Sequence, residues 1–508
     1  MNIVKPLLIL AVLSLFILFS SSPCFSETAI GDEKSTIENF DDSADADFSD
    51  DDFSDDDFSD DDFSDDDFAE SDEDSGSEEL ETEDVSSAKS FLSTKINMKG
   101  HLKLSSAVNT AHNKPDSGQM DWRGLSKLKS ELFLELNAAL YKSWKLSVSG
   151  NGFYDASYSI NDRDDATDDV IDNYESGGEL KKAWIEGSIT DWFDIKAGRQ
   201  VVVWGKSDSI RVTDILNPLN LQDPKPSNMN DLDNLRLPVA MTKLDFFRGD
   251  WNLTAIAIHE HRFNQTPEFG SDFYPAPTQP PPSEEIPGNH ISNTEYAASL
   301  SGTFSGWDMK FYFANVYNNF SHIVIKSWDS IAQEHARIKM AGADLNLAFG
   351  NWLVKSEAAY FTGIRLNDTL SGTTIINLSQ NNHSRLNTLA GIEYSGFSDT
   401  TLMLEVMNEH LKDLGLIEKN TGHKENSLQS SIRLSRNFFN ERLEIILMGA
   451  VYGEKGKDGS MYRFASEYEL TDSIILNGGF ILYEGGDNPI LERFKDNDKI
   501  VFDIKFSF

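Results

Sequence analysis

The chain has 508 residues and a formal net charge of −40, from 84 acidic and 44 basic side chains. An excess of acid on that scale, without clustered Lys/Arg, excludes nucleic acid as a partner, because phosphate binding needs concentrated positive charge. The single cysteine, Cys24, falls within the first 26 residues, so the remainder can hold no disulfide, thiolate metal site or cysteine nucleophile.

Residues 1–26 read as a secretory signal peptide. Lys5 supplies the positive start, Pro6 to Phe19 is an uncharged apolar run, and Ser20 to Ser26 turns small and polar. The apolar run is short of the ~20 residues that a membrane helix needs. Pro23 before Cys24 disfavours a lipoprotein site. No later stretch approaches ~18 uninterrupted apolar residues, so an exported chain without a membrane helix is expected.

Residues 27–92 form an acidic tail, with 29 Asp/Glu and one Lys between 27 and 85. An Asp-Phe-Ser-Asp-Asp repeat sets Phe48, Phe53, Phe58, Phe63 and Phe68 five apart. That period matches neither a helix nor a strand, and the aspartates repel one another, so the tail is expected to be disordered. Beside a purely solvating role stand two functional ones. One is docking to a basic periplasmic partner, such as an export component. The other is weak multivalent Ca²⁺ binding, although no defined calcium-loop ligand set is present.

From 93 to 508 the chain alternates apolar and polar residues in segments of about ten, as strands with two unlike faces do. In 128–138, Leu132, Leu134 and Leu136 share one face while Lys129, Glu131 and Glu135 share the other. In 428–435, Leu428, Ile432 and Leu434 oppose Arg433; in 461–470, Tyr462, Phe464 and Tyr468 oppose Arg463 and Glu467. Eighteen such segments occur: 98–110, 126–140, 144–158, 178–190, 193–205, 239–248, 251–262, 293–305, 307–319, 335–349, 352–364, 386–397, 400–411, 426–438, 442–453, 461–470, 473–483 and 499–508. Their connections alternate between tight turns, such as Gly249-Asp250 and Gly350-Asn351, and long loops, such as 206–238 and 263–292. This all-β pattern predicts an antiparallel outer-membrane β-barrel of about eighteen strands, with both ends of the barrel on the periplasmic side of a Gram-negative outer membrane.

The prolines after residue 26 all fall in or beside the long loops, as the hydrogen-bond ladder demands. Trp144, Trp192, Trp251, Trp307 and Trp352 sit at the tight turns and predict a girdle at one membrane interface. At the end, Phe502, Phe506 and Phe508 alternate with Asp503, Lys505 and Ser507. This looks like the strand signal that outer-membrane barrels present to their insertion machinery. Lipid and that machinery are therefore expected partners.

The inward faces are expected to mix charges: Lys129, Glu131, Glu135, Glu393, Arg433, Glu444, Arg463, Glu467, Asp503 and Lys505. A cation-selective pore would want a ring of one sign. Mixed signs predict a polar lumen. In 335–349 the apolar face of the pattern switches near Lys339, which predicts a bulge.

The segment 198–218, GRQVVVWGKSDSIRVTDILNP, carries the most information. Gly198-Arg199-Gln200, Trp204-Gly205, Asp208, Asp214 and Asn217-Pro218 resemble a motif in a large family of proteobacterial outer-membrane proteins described only as a domain of unknown function. It is also distantly similar to alginate-export barrels. The resemblance implies an outer-membrane barrel, often encoded beside RND-type exporters. A lipid-facing Arg199 at mid-membrane would cost about 2–4 kcal/mol, so a bulge at Gly198 is expected to turn it inward. Arg199, Lys206, Asp208, Arg211 and Asp214 are the candidate pore constriction, carried into the lumen by the 33-residue loop 206–238.

His259 and His261, two apart on a strand, could share a metal, but no third ligand is evident and Glu260 points the other way. The proline-rich loop 263–292 reads as a stiff external lid or spacer. No catalytic constellation, cofactor site or metal site is expected. The predicted function is a channel or exit duct for polar or amphiphilic molecules, and the resemblance implies an outer-membrane partner of an RND-type export system. The alternative is a structural or surface-binding barrel with a plugged lumen.

Overall fold

A computed structural model describes residues 95–508 apart from 116–118, 141–142, 164–165, 223–234, 275–279, 289, 328–329, 368–380 and 421. The signal segment 1–26 and the acidic tail 27–92 lie outside the described residues. Eighteen strands form one closed antiparallel barrel. In chain order they are β1 Lys95–Asn109, β2 Gly124–Ala139, β3 Lys145–Asp155, β4 Ser176–Thr190, β5 Phe193–Gln200, β6 Val239–Arg248, β7 Trp251–Ile258, β9 Glu295–Phe304 and β10 Trp307–Tyr317. They continue as β13 Arg337–Phe349, β14 Trp352–Ile364, β15 His383–Phe397, β16 Thr400–Lys412, β17 Asn426–Phe438, β18 Leu443–Tyr452, β19 Gly459–Thr471, β20 Ile474–Glu484 and β21 Lys499–Ser507. Three short strands, β8 Glu284–Glu285, β11 His322–Ser327 and β12 Ser330–Glu334, make a separate small sheet.

Each barrel strand pairs with its neighbours in chain order. The wall closes where β1 pairs with both β2 and β21, so Leu102 stands between Leu132 and Phe506. Phe508 and Gly100 exchange backbone hydrogen bonds of 2.9 Å at this seam. Closure leaves no strand edge in lipid, where each unsatisfied backbone group would cost several kcal/mol. Two-residue turns with positive φ, at Gly249 and Gly350, connect strands at one end.

Alternation assigns the faces. Leu132, Leu134 and Leu136 are 40–46% exposed and belong to the lipid-facing surface, whereas Ser147 and Ser149 on the opposite alternation are buried. Trp192, Trp251, Trp307 and Trp352 stand exposed beside the tight turns. An apolar outer band bounded by aromatic side chains, on a closed eighteen-strand wall, makes this a Gram-negative outer-membrane protein.

The hydrophobic core lies inside the barrel. Trp204, Ile210, Val212 and Leu216, from the chain after β5, pack with inward residues of β6 to β16 that include Met241, Ile258, Tyr312, Met340, Phe361 and Leu389. Three departures from the predicted pattern follow, two of them explained by this core. The strand expected over 193–205 stops at Gln200, because the chain then turns inward. Register is unbroken through Lys339, where a bulge was expected. Ile338 and Met340 are apolar yet belong near core-facing positions because the interior is apolar there; the irregularity lies on β14, between Thr362 and Ile364. Register also runs unbroken through Gly198. Its φ is +126°, and a Cβ there would lie 2.2 Å from the Ala183 carbonyl oxygen, so glycine lets β5 approach β4.

Candidate functional site

The inward segment begins at Val201. Asn217 staples its two ends together: the side-chain oxygen accepts from Val202 N at 2.8 Å, and the amide donates to the Leu237 carbonyl at 2.9 Å. Asp214 accepts from both Arg211 and Arg236 at 2.9 Å. Asp214 offsets one of the two guanidinium charges, which eases the burial of all three groups near an apolar core. The Trp204 ring packs 4.8 Å from Tyr312, whose hydroxyl accepts from Gly205 N at 3.1 Å and donates to Asp344.

Two carboxylates from the far wall hold the tip. Glu357 on β14 accepts from the backbone N–H groups of Lys206 at 2.5 Å and Ser207 at 2.7 Å, and from the Thr213 hydroxyl at 3.1 Å. Glu405 on β16 accepts from Asp208 N at 2.9 Å, Ser209 N at 3.1 Å and the Ser207 hydroxyl at 3.0 Å. Lys355 pairs with Asp208 at 2.6 Å, and Lys206 approaches Asp308 at 3.8 Å. Counting strands from β5, β16 is eight steps round a wall of eighteen. The segment is therefore a chord across the lumen.

A second chord follows β7. Gln265 bridges to Asn220, and Asn264 accepts from Leu219 N at 2.7 Å, which joins the two segments. Farther on, Phe273 packs with Ala450, Met461, Ile481 and Tyr483 on β18 to β20, the wall opposite its origin. Asp272 accepts from His112 at 2.5 Å and Asn109 at 3.0 Å, with Lys499 at 3.8 Å. Burial pushes the Asp272 carboxyl up, but His112, the Lys499 charge and Asn109 outweigh it and hold it below the usual carboxylate range. The loop expected to be an external lid is thus divided. Its first part crosses the interior, and Glu284–Glu285 pairs parallel with β12.

Of the five candidate constriction residues, Lys206, Asp208, Arg211 and Asp214 belong to the first chord. Arg199 does not join them. It stands on the outward alternation of β5, in register with Ala183 and Ala240, near the strand's loop end. There it pairs with Glu260 at 2.9 Å and donates to the Pro238 and Leu180 carbonyls. The expected inward turn was argued for an arginine at mid-membrane; a partnered arginine near the rim avoids that cost. Lys129, Glu131, Glu135, Arg433, Arg463, Glu467, Asp503 and Lys505 all fall on the inward alternation. Lys103 pairs with Asp503 at 3.2 Å, and Lys129 lies 3.3 Å above the Phe153 ring. Phe502, Phe506 and Phe508 lie outward along the closing strand. His259 meets Thr242 at 3.0 Å while buried His261 pairs with Glu295 at 3.1 Å, so the two occupy different sites. Glu357, Glu405 and Asp272 were missed. A carboxylate within an alternating strand signals an inward position, but the strand pattern does not identify its partner.

The family model described as "Protein of unknown function (DUF1302)" matches residues 83–508. The chain belongs to this family. No curated protein sequence matches it significantly. Among solved structures, the DUF1302 barrel is similar to OccAB1 of Acinetobacter baumannii (9% identity, TM-score 0.49, covering 81% of this chain and 96% of that one). It is also similar to the outer membrane protein OpdK of Pseudomonas aeruginosa (10%, 0.45, 82% and 99%). A third is a BenF-like porin from Pseudomonas fluorescens Pf-5 (10%, 0.46, 82% and 98%).

Proposed function

We propose that this barrel is a non-enzymatic outer-membrane channel for small polar or amphiphilic molecules, narrowed by its two interior chords. The observation that carries the reading is the unequal interior. The first chord packs against an apolar wall on β6 to β16, while β17 to β21 and β1 to β4, outside the cluster around Phe273, retain an inward lining of mixed charge. Lys206, Asp208, Arg211 and Asp214 shape the constriction, and Arg199 braces the rim where β5 enters the chord. Single-channel conductance in planar bilayers tests the reading. Discrete openings that enlarge when 203–216 are deleted support it; a wild-type protein that never conducts refutes it.

A plugged, structural barrel is the second reading, favoured by the joining of the two chords through Asn220 and Gln265. It predicts silence in the same bilayer and openings only after deletion. We further propose that the acidic tail docks a basic periplasmic component of an export system. This follows from the charge of 27–92 and the family resemblance. Removing the tail should leave conductance nearly intact and abolish a salt-sensitive association.

A further inference from the structure

We propose that the outer rim over β10 to β16 binds the phosphorylated headgroup of an outer-leaflet glycolipid through Arg337, Lys339 and Lys412. The pairing register brings outward residues into one row: Asn315 beside Lys339, Lys339 beside Thr362, Thr362 beside Ser384, and Ser384 beside Lys412. One step closer to the membrane centre, Phe313, Ala341, Tyr360 and Leu386 form the next outward row. Polar and cationic side chains therefore sit directly above apolar ones, as a lipid's head sits above its chains.

The height of the row fits a membrane interface. Trp352, at the tight-turn girdle, and Thr362 lie ten residues apart on β14. That is roughly 34 Å along a strand, or about 25 Å across the membrane at the usual tilt, which matches the apolar band of such barrels. The long loops begin at this end, so the interface is the outer one.

The three cations are held by neutral groups and not by acids. Lys339 is exposed. Lys412 lies 5.0 Å over the Tyr360 ring. Arg337 donates to Asn315 and to the carbonyls of Asn293 and Thr294, and lies 4.9 Å over Tyr317. Among the described residues, no carboxylate forms an ion pair with any of the three. Across the barrel, by contrast, rim residue Arg199 is matched by Glu260. Three cations without acids, flanked by Thr362, Ser384 and Asn315 as hydrogen-bonding groups, complement a phosphate attached to a sugar. The phosphorylated glycolipid of the outer leaflet supplies that chemistry with acyl chains pointing toward Phe313 and Tyr360. Free phosphate has no use for the apolar row beneath.

The test uses the full chain in neutral detergent, with bound lipid counted by native mass spectrometry. Bisphosphorylated lipid A should bind, and Lys339→Ala with Lys412→Ala should weaken binding by about tenfold or more. Lys339→Arg with Lys412→Arg should retain it. Dephosphorylated lipid A should bind the unaltered chain as weakly as lipid A binds the alanine pair. Heat-modifiable gel migration verifies that each variant is folded, and if the alanine pair fails to fold, the dephosphorylated lipid decides alone. Unchanged affinity in the folded alanine pair overturns the proposal, as does equal binding of dephosphorylated lipid A. Equal binding of phosphatidylglycerol would make the row a general anionic surface and overturn it too. Competition by inorganic phosphate at equal concentration would overturn the lipid source. None of these outcomes depends on whether the barrel conducts.

Discussion

The two halves of the interior are built on the same strands and solve different problems. Over β6 to β16 the inward residues are apolar near the loop end and pack against Trp204, Ile210, Val212 and Leu216. Over β17 to β21 and β1 to β4 a smaller apolar cluster around Phe273 is confined to the loop end, and below it many inward residues are charged or small, with pairs such as Lys103 with Asp503 and Lys182 with Glu135. An inward face is polar where water reaches it or where backbone N–H groups meet it, as at Glu357 and Glu405. Where another piece of chain fills the lumen, the same alternation carries Ile, Met and Phe. The barrel rule fixes which residues share a face, and the filling of the lumen decides what that face is made of.

The largest effect should come from releasing the filled half. With Glu357→Ala and Glu405→Ala together, the backbone N–H groups of Lys206 to Ser209 lose their acceptors, and each buried donor left unsatisfied costs about 1–3 kcal/mol. The first chord should detach, seen as larger single-channel conductance and new protease cleavage within 201–222. Unchanged conductance would show that the chord does not limit flow. Next comes Trp204→Ala, which leaves a cavity beside Tyr312 and should cost about 3–5 kcal/mol, read as a lower midpoint for loss of heat-modifiable migration. A loss below 1 kcal/mol would show that the interior core is loosely packed.

Acid should act on the second chord. Asp272 is held below its ordinary value near 3.9, so its contribution is present above that pH and is lost as pH falls through its depressed folded value. Protease access to 263–274 should rise below about pH 4, and Asp272→Asn should show that access already at neutral pH. The charged half should respond mainly in selectivity. Lys103→Ala leaves Asp503 unneutralised and should move the reversal potential toward cations, with stability changed by about 1 kcal/mol or less. The smallest effect belongs to the rim: Arg199→Ala removes a partly exposed pair with Glu260, worth about 0–1 kcal/mol, and should leave conductance unaltered.

The wall was readable because lipid imposes a strict condition on every second residue. The sequence-derived segments at 239–248, 352–364 and 426–438 coincide with β6, β14 and β17. What escaped were contacts distant in sequence. Nothing local to Glu357 or Glu405 indicates that each will meet backbone about 150 and 200 residues away. The expected strand 193–205 puts Arg199 at mid-membrane, whereas β5 ends one residue after it. The prolines of the loop 263–292 point to an external spacer, but the residues that cross the lumen, Asp272 and Phe273, precede most of them.

The way the first chord is held has an evolutionary consequence. Glu357 and Glu405 take most of their hydrogen bonds from main-chain N–H groups, which every residue but proline supplies. Substitutions at 206, 208 and 209 can therefore alter the charge and size of the passage while the anchor persists. Lineages could diversify what such a barrel admits without redesigning its architecture, and the two wall carboxylates should vary far less than the residues they hold.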